Sequence, residues 1–323
     1  MIRFAIVGTN FISDSFAIAV RSVPCAEITA VYSRKRDTGA AFADKYAIKH
    51  VFTDYKEMLD SHLFDAVYVA SPTLLHPEHA ITALECGYHV LCEKMIAPTL
   101  SDFYRMKSAA QDNGRVLLEA HRTVHDPLIK ELEGAISRIG RVRRASLEFC
   151  QYSSRYDKFK AGILTNAFDP KMKNSALSDI GIYPLTLAVM LFGMPEDVQA
   201  RSVFLDGGFE GEGVALLTYP DKAVGVVYSK IADGVNPSVI EGELGSVTLD
   251  KISAPTEITL KLRGEPPEVI AREAVGNNMV YEIEAFLGMC RGERDPHPYL
   301  SLTERTQLLV DEIYKKSGVP LYF

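Results

Sequence analysis

Short apolar runs alternate with amphipathic stretches through the first 120 residues. The run Ile2–Val7 ends at Gly8 and is long enough for a strand but too short for a helix. Similar runs predict strands at 27–32, 49–51, 65–70, 88–92 and 116–119. Helical spacing predicts helices at 10–22, 38–46, 54–61, 76–86 and 101–113, the last beginning at a Ser101 cap. This alternation predicts βαβ units and a doubly wound parallel sheet of the Rossmann type, buried on both faces.

The second half of the chain has a different pattern. Strands are predicted at 141–151, 198–205, 213–219, 223–231, 239–244, 246–249 and 257–262. Short turns such as Pro220-Asp221-Lys222 and Leu244-Gly245 favour antiparallel hairpins. Helices are predicted at 127–138, 178–192, 278–290 and 303–316. We therefore predict an N-terminal Rossmann domain over 1–120 and an α+β domain with an open, mainly antiparallel sheet over 121–323.

Composition narrows the functional class. The chain has 323 residues, and 35 Lys and Arg against 42 Asp and Glu give a net charge of −7. An acidic chain without a basic stripe is atypical of a nucleic-acid-binding protein. The longest uncharged stretch, 180–195, is shorter than a membrane span and contains two prolines. Five scattered cysteines with no C-x-x-C pair favour a reducing compartment, so we predict a cytoplasmic protein.

The first strand-to-helix turn is the first candidate site. In a dinucleotide-binding fold, this turn presents backbone N–H groups and a helix N-terminus to a pyrophosphate. Gly8 matches the first glycine of that fingerprint, but Asn10 and Ser13 stand at the other two positions. Asn tolerates a left-handed backbone and Ser is small, which favours a working loop. A plain turn without a ligand is the alternative.

The end of the second predicted strand bears on the choice of nucleotide. An NAD site has an Asp or Glu here to accept the ribose hydroxyls. This chain has Ser33 and Arg34, followed by two more cations, Lys35 and Arg36. Because Arg binds phosphate through two parallel hydrogen bonds, these residues favour NADP(H) over NAD(H). A solvated basic turn is the alternative.

Three polar residues are candidates for proton chemistry. Lys94 follows the predicted strand 88–92 at the sheet edge where α/β proteins bind ligands. Asp179 and Tyr183 are four residues apart near the start of the helix predicted at 178–192, so they are expected to share one helix face. An acid and a phenol on one face suit proton transfer at an alcohol or carbonyl. A surface lysine, a dipole-stabilised aspartate and a half-buried tyrosine are the structural alternatives.

The histidines do not form a recognisable metal motif. His76 with His79, and His121 with His125, lack a carboxylate or cysteine at the usual ligand spacing. We therefore predict no metal site.

Four motifs in sequence order resemble those of the glucose–fructose oxidoreductase / inositol dehydrogenase / MocA family, and the resemblance runs nearly end to end. Gly8-Thr9-Asn10-Phe11-Ile12 resembles the nucleotide loop of the family. Ser71-Pro72-Thr73-Leu74-Leu75-His76 resembles its T-P-N-x-x-H turn, although the Asn is missing. Glu93-Lys94 resembles the start of its E-K-P motif. Ser178–Pro184 resembles its D-x-G-x-H helix start, with Tyr183 at the His position.

The resemblance implies roles for these residues. Lys94 is expected to bond the reacting hydroxyl, Tyr183 to act as general acid and base, and Asp179 to be its electrostatic or hydrogen-bonding neighbour. The cofactor-binding residues implied are Gly8, Thr9, Asn10, Phe11, Ile12, Ser33, Arg34, Ser71, Thr73, His76, Glu93 and Lys94. Hydride is expected to pass between nicotinamide and a sugar, polyol or related hydroxy or keto compound.

The resemblance also carries departures and expectations about partners. Met95 replaces the proline whose cis peptide orients the lysine, so a trans bond and an altered lysine are one alternative. With the depleted glycine loop, this leaves a non-catalytic nucleotide-binding sensor as the second functional hypothesis. Arg122 and Tyr156 are candidates for contacting a carbohydrate-like substrate. Family members usually pair through the second domain's sheet, so we expect a homodimer or higher homo-oligomer, with Val224, Val226 and Tyr228 on its outer face or in the core.

Overall fold

A computed structural model of the chain describes residues 1–271 and 276–318. The strands of the first sheet are β1 (Ile2–Val7), β2 (Ala26–Tyr32), β3 (His50–Phe52), β4 (Ala66–Val69), β5 (His89–Glu93) and β6 (Leu117–Ala120). The strands of the second sheet are β7 (Val142–Cys150), β8 (Asp197–Phe204), β9 (Glu210–Thr218), β10 (Ala223–Ser229), β11 (Ser238–Gly242), β12 (Gly245–Leu249), β13 (Glu257–Leu262) and β14 (Glu268–Ala271).

Ten α-helices accompany the strands in the part of the chain that is described. They are α1 (Phe11–Val20), α2 (Arg36–Tyr46), α3 (Tyr55–Asp60), α4 (His76–Glu85), α5 (Leu100–Asp112), α6 (Pro127–Arg138), α7 (Tyr156–Lys160), α8 (Ile182–Phe192), α9 (Met279–Cys290) and α10 (His297–Ser317). A single π-helical turn, Leu177–Gly181, leads directly into α8.

The described chain divides into two compact units. The first comprises Met1–His121 and Gly276–Ser301, and the second holds the remaining described residues. The sequence analysis assigns 276–301 to the second domain, whereas the structure places this segment in the first unit. The reason is that the apolar side of α9 is buried there: the rings of Phe286 and Phe4 are 5.8 Å apart, and the Asn277 amide donates to the Ser15 carbonyl at 2.6 Å.

The first unit contains a parallel sheet in the order β3-β2-β1-β4-β5-β6. Side chains from both faces of β1 are buried, since Phe4 and Ile6 belong to one apolar cluster and Ala5 and Val7 to another. Burial of both faces is what a parallel sheet with covering helices requires. The carboxyl ends of its strands lie at one edge, where the candidate cofactor residues follow.

The second unit contains an eight-stranded sheet in the order β14-β13-β12-β11-β7-β10-β9-β8. All neighbouring pairs are antiparallel except β7 and β10, which run parallel. Both predicted hairpin turns, at 220–222 and 244–245, join antiparallel neighbours. With the parallel sheet of the first unit, this arrangement confirms the predicted fold class.

Val224, Val226 and Tyr228 lie in the core of the second unit, each fully buried. The alternate positions on β9, Val214 and Leu216, point to the opposite face and are 46% and 43% exposed. Side chains alternate between the two faces of a strand. The observed burial therefore places the three β10 residues in the core rather than on the outer face, which the sequence alone did not determine. Val214 and Leu216 of β9 therefore lie on the outer face of the sheet, and the three residues of β10 lie on its inner face.

Two predicted helix starts are wrong for reasons of capping. Thr99, not Ser101, caps α5: its hydroxyl accepts the Asp102 N–H at 3.1 Å and donates to the Asp102 carboxylate at 2.7 Å. The last helix begins at His297 rather than at residue 303, because Asp295 accepts the His297 N–H and Pro298 is tolerated in a first turn. Strand β14 and helix α7 were not predicted.

Candidate functional site

Gly8 follows β1 in a conformation that a residue with a side chain rarely adopts. Its φ is +106°, and a Cβ added there would lie 2.8 Å from the Ala70 carbonyl oxygen at the end of β4. A methyl group would therefore collide with the backbone that follows β4. The tight turn that this positive φ allows is the role of the first glycine in a dinucleotide loop.

Asn10 stands where the fingerprint has its second glycine, and the structure corrects the expectation that it adopts a left-handed backbone. Its φ is −89°, and it is the N-cap of α1. Its side-chain oxygen accepts the N–H groups of Ile12 and Ser13 at 3.0 and 3.2 Å, and its amide donates to Ala70 O at 2.7 Å. Asn10 therefore joins the loop after β1 to the end of β4. Phe11 is 61% exposed at the first helical position.

The segment after β2 presents hydroxyls and cations. Ser33 is buried, and its hydroxyl lies 2.6 Å from the hydroxyl of Thr38. Arg34, Lys35 and Arg36 are exposed, and the first carboxylate of the segment, Asp37, occurs only after α2 has begun. This donor set suits a phosphate better than a pair of ribose hydroxyls.

The turn after β4 is held by two histidines. The ring nitrogens of buried His76 lie 2.8 Å from the Ser71 carbonyl oxygen and 3.1 Å from that of Met95. Burial lowers the pKa of His76 to about 4, so its imidazole is neutral at pH 7. His79 contacts the Ser71 hydroxyl through Nδ1 at 2.9 Å, and burial, aided by the charge of Arg34, lowers its pKa to about 4 as well. His76 therefore links the turn after β4 to the turn after β5. Thr73 is buried in the turn between Ser71 and His76.

Glu93 and Lys94 form the end of β5. Glu93 is buried and accepts the Tyr68 hydroxyl at 2.5 Å on one carboxylate oxygen and the Lys94 N–H at 3.3 Å on the other. Lys94 itself is half-buried. The Lys94–Met95 peptide is cis, so the alternative of a trans bond at this position is wrong. Buried Glu119 accepts the Ile96 N–H at 2.9 Å and holds the chain that follows.

The first unit thus gathers the predicted cofactor residues at one sheet edge. The loop after β1 contacts Ala70, the Ser71 turn contacts His79 and His76, and His76 contacts the segment after Lys94. The tight turn at Gly8, the N-terminus of α1 and the basic segment at Arg34 fit a phosphorylated dinucleotide.

In the second unit, the helix predicted at 178–192 is in fact a π turn followed by an α-helix. Asp179 lies in the π-helical turn Leu177–Gly181, and Tyr183 is the second residue of α8. Tyr183 is buried and packs edge-on against Phe149, with the ring centroids 5.4 Å apart.

The π turn rests on a buried polar network. Glu210 accepts the Leu177 N–H at 3.0 Å, the Tyr228 hydroxyl at 2.9 Å and the Ser202 hydroxyl at 2.6 Å. Burial raises the pKa of the Glu210 carboxyl in spite of these donors. Gly181 packs against the Tyr228 ring so closely that a Cβ would lie 2.8 Å from it. Such networks hold a backbone in one conformation when every member is bonded.

Lys230 is the residue that the sequence analysis missed. Its Nζ lies 2.8 Å from an Asp179 carboxylate oxygen, and its side chain is 4% exposed while that of Asp179 is 40% exposed. The ammonium also donates to the Ala167 carbonyl at 2.9 Å and lies near the faces of the Phe168 and Phe209 rings. The signal was a lysine within the apolar run predicted as strand 223–231.

The two predicted substrate residues also lie in the second unit. Tyr156 begins α7, is half-buried and stacks on Phe168, with the ring centroids 5.7 Å apart. Lys160 pairs with Asp157 at 2.8 Å and lies over the Tyr156 ring. The structure therefore brings Tyr156 next to the aromatic ring that contacts Lys230. Arg122 is half-buried at the beginning of this unit.

The described residues lack both a metal-binding cluster and a membrane-spanning helix. Across 1–271 and 276–318, no group of three or more His, Cys, Asp and Glu side chains is arranged to hold a metal ion. Within the same residues, no helix combines the length and the apolar character that crossing a membrane requires.

Two family models match most of the chain. The model of the GFO/IDH/MocA oxidoreductase family with an NAD-binding Rossmann fold matches residues 2–121, and the model of the GFO/IDH/MocA C-terminal domain matches residues 135–248.

Relatives and solved structures match over nearly the whole length. The chain is 41% identical to the scyllo-inositol 2-dehydrogenase (NADP(+)) IolU of Bacillus subtilis, covering 99% of this chain and 98% of that protein. It is 36% identical to the uncharacterized oxidoreductase YgjR of Escherichia coli, covering 99% and 97%. The 3-ketoreductase KijD10 of Actinomadura kijaniata, in complex with NADP and TDP-benzene, has the same fold with a TM-score of 0.88 at 23% identity, covering 98% of both chains.

Proposed function

Because the chain belongs to the GFO/IDH/MocA family of oxidoreductases, as its motifs predicted, we propose that it transfers hydride between NADP(H) and a sugar, polyol or related hydroxy or keto compound. The supporting observation is that Lys94, Asp179 and Tyr183 are all present in a chain 41% identical to a scyllo-inositol dehydrogenase. Family membership confirms the prediction of a dehydrogenase or reductase, and the substrate class is our proposal.

The nucleotide is held, in this proposal, by the sheet edge of the first unit. The loop Gly8, Thr9, Asn10, Phe11 and Ile12 receives the pyrophosphate, and Ser71, Thr73, His76 and Glu93 shape the edge beside it. Ser33 and Arg34 bind the 2′-phosphate, which supports a preference for NADP(H) over NAD(H). The donors of the basic segment and the position of Asp37 inside α2 support this preference.

The reaction requires a proton transfer in addition to hydride transfer. A nicotinamide nucleotide held at the sheet edge of the first unit would supply or accept the hydride. In the oxidative direction, the Tyr183 phenolate takes the proton of the substrate hydroxyl, and the Lys94 ammonium stabilises the alkoxide oxygen until the carbonyl forms. In the reductive direction, Tyr183 returns a proton to the alkoxide oxygen. Asp179 supplies a negative charge near the proton-transfer group, and Arg122 and Tyr156 contact the hydroxyl groups of the substrate.

Two further features belong to this proposal. The outer face of the second sheet carries exposed apolar residues, among them Val214 and Leu216, which supports a homodimer formed through that face. All five cysteines are free, which supports a reducing, cytoplasmic location.

Calorimetric titration with NADPH, NADP⁺, NADH and NAD⁺ tests the nucleotide first, because the chain has no Trp whose fluorescence would report binding. A preference of tenfold or more for the phosphorylated pair, about 1.4 kcal/mol, is expected. Turnover is then measured at 340 nm with scyllo-inositol and a panel of sugars and polyols.

The matched variants are Tyr183→Phe and Tyr219→Phe, since both tyrosines lie in the second unit and the Tyr219 hydroxyl donates to a backbone carbonyl, that of Gly193. We expect Tyr183→Phe to lose turnover with unchanged nucleotide affinity and Tyr219→Phe to keep both. Nucleotide binding without turnover on any substrate would instead support a non-catalytic sensor.

A further inference from the structure

Lys230 occupies a position that strand alternation assigns to the core. Val224, Val226 and Tyr228 point to the inner face of the second sheet and are fully buried, and Lys230 is next in that series. Its side chain is 4% exposed. A buried ammonium is strongly disfavoured unless it is paired, and an apolar residue of similar volume often serves stability as well or better.

Three kinds of partner compensate the buried charge. Asp179 supplies the negative charge at 2.8 Å, and the Ala167 carbonyl accepts a hydrogen bond at 2.9 Å. The rings of Phe168 and Phe209 lie 4.9 and 5.3 Å from Nζ, within the range of a cation–π interaction. The ammonium therefore connects three segments: the end of β10, the π turn with Asp179, and the loop that carries Ala167 and Phe168.

The contact between Lys230 and the Ala167 loop extends to Tyr156, a candidate substrate-binding residue. Phe168 stacks on Tyr156 of α7, and the adjacent Ala167 carbonyl is bonded to Lys230. On its other side, Lys230 holds an aspartate that is 40% exposed and so open to solvent or ligand. One buried cation thus sets both the orientation of Asp179 and the position of the loop next to Tyr156.

We propose that Lys230 is a positioning residue for the reaction, which holds the Asp179 carboxylate in its working orientation and ties it to the loop at Ala167. The inference rests on the proposed function and adds a residue to it. Lys230 acts through Asp179, since its own ammonium is enclosed by protein groups.

A kinetic double-mutant cycle tests the coupling. The variants are Lys230→Met, which keeps the volume without the charge, Asp179→Asn, and both together. We expect each single variant to lower kcat at least tenfold with KM changed less than threefold. The double variant should be no slower than the slower single variant, because both substitutions remove the same interaction. Losses that multiply in the double variant would show that Lys230 acts independently of Asp179 and would overturn the proposal.

Lys222 offers a matched control in the same unit. It is also a lysine of low exposure that pairs with an aspartate, Asp221, at 2.5 Å and lies over two aromatic rings. Lys222→Met is expected to keep the wild-type kcat and KM. An equal loss of kcat in both variants would mean that losing a paired lysine anywhere in this unit lowers turnover through the fold, which contradicts a role through Asp179. If Lys230→Met does not fold, Lys230→Gln replaces it in the cycle.

Amide hydrogen exchange provides a measurement that needs no turnover. In Lys230→Met, we expect faster exchange both in the 161–174 loop and in the 177–181 turn, and no such change in Lys222→Met. If the amide exchange rate of either segment in Lys230→Met equals that of the wild type, Lys230 does not connect the two segments and the proposal is overturned. Absence of turnover in the wild type, with faster exchange in both segments of Lys230→Met, would refute the proposed function while supporting the connection itself.

Discussion

The hydroxyl of Tyr68 donates to the carboxylate of Glu93 at 2.5 Å, which joins neighbouring parallel strands β4 and β5 just below the sheet edge. Tyr68 is itself fixed by stacking on Phe16, with the ring centroids 3.7 Å apart. The other oxygen of Glu93 accepts the Lys94 N–H. A tyrosine in the core thereby orients the carboxylate that precedes the candidate catalytic lysine.

Tyr68→Phe should destabilise the protein more than removal of an ordinary buried hydroxyl. The substitution deprives a buried carboxylate of a donor, and a hydrogen bond to a charged group contributes about 1.5–3 kcal/mol. Tyr55→Phe is the control, because the Tyr55 hydroxyl donates to a neutral carbonyl, that of His79, and should cost about 0.5–1.5 kcal/mol. Urea unfolding of both variants measures the difference, and equal losses would mean that Glu93 does not depend on Tyr68.

Gly8→Ala should abolish nucleotide binding as well as reduce stability. The positive φ of Gly8 costs an L-residue roughly 1–2 kcal/mol, and the added Cβ also lies 2.8 Å from a backbone oxygen. Gly114→Ala separates the two effects, since Gly114 has a φ of +59° and nothing within 4 Å of its added Cβ. We expect this control to lose only the smaller amount of stability and to bind nucleotide normally in the calorimeter. Normal binding by Gly8→Ala would contradict the proposal that the loop after β1 receives the pyrophosphate.

The predictions from sequence are most accurate where a local rule applies. The bounds of β1 and α6 are as predicted, because Gly8 ends one and Asp126 with Pro127 begins the other. Apolar periodicity also identified nearly every strand of both sheets. Capping also explains the two wrong helix starts, at Ser101 and at residue 303. Thr99 accepts an N–H in the first turn of α5, and Asp295 accepts the His297 N–H at the start of α10.

Local rules do not predict which residues distant in sequence come into contact. Periodicity shows that α9 has a buried side but not that Phe4 covers it. It likewise gives no indication that Lys230 pairs with Asp179, 51 residues earlier in the chain, or that Asp179 lies in a π turn. The residue types of the candidate site were thus predictable, whereas the contacts that orient them depend on tertiary packing.

Acid should destabilise the protein through two buried histidines. His76 and His79 have pKa values of about 4 in the folded state against 6.5 ordinarily, so they stay neutral while the unfolded chain takes up protons. The free energy of unfolding therefore does not change through these two groups above pH 6.5, and it decreases as the pH falls from 6.5 toward 4. Each contributes a slope of about 1.4 kcal/mol per pH unit.

His79→Gln, which retains a polar group opposite Ser71, isolates one of these contributions. Between pH 6.5 and 5, its free energy of unfolding should fall about 1 kcal/mol per unit less steeply than that of the wild type, since the unfolded histidine is only half protonated at pH 6.5. His50→Gln, at an exposed position, is the control and should follow the wild-type slope. An unchanged slope in His79→Gln would show that His79 is charged in the folded protein.

The nucleotide preference should depend on the segment after β2. Arg34→Ala is expected to weaken NADPH binding at least tenfold and to leave NADH binding unchanged, because only NADPH carries the 2′-phosphate. Ser33→Asp should go further and favour NADH, since a carboxylate accepts ribose hydroxyls and repels phosphate. Arg21→Ala, an exposed arginine on the Tyr46 ring, is the control in the same titrations. Equal losses for both nucleotides in Arg34→Ala would contradict a phosphate contact.

The outer face of the second sheet leads to a prediction about assembly. Val214 and Leu216 lie on the exposed side of β9, and apolar side chains on an open sheet face are buried when two copies associate. Sedimentation velocity at micromolar concentration should show a wild-type dimer and a Leu216→Lys monomer, because two opposed lysines at a self-complementary interface repel. Val235→Lys, at a position 93% exposed outside the strands, should remain dimeric. A monomeric wild type, or a dimer that persists in Leu216→Lys, would rule out association through this face.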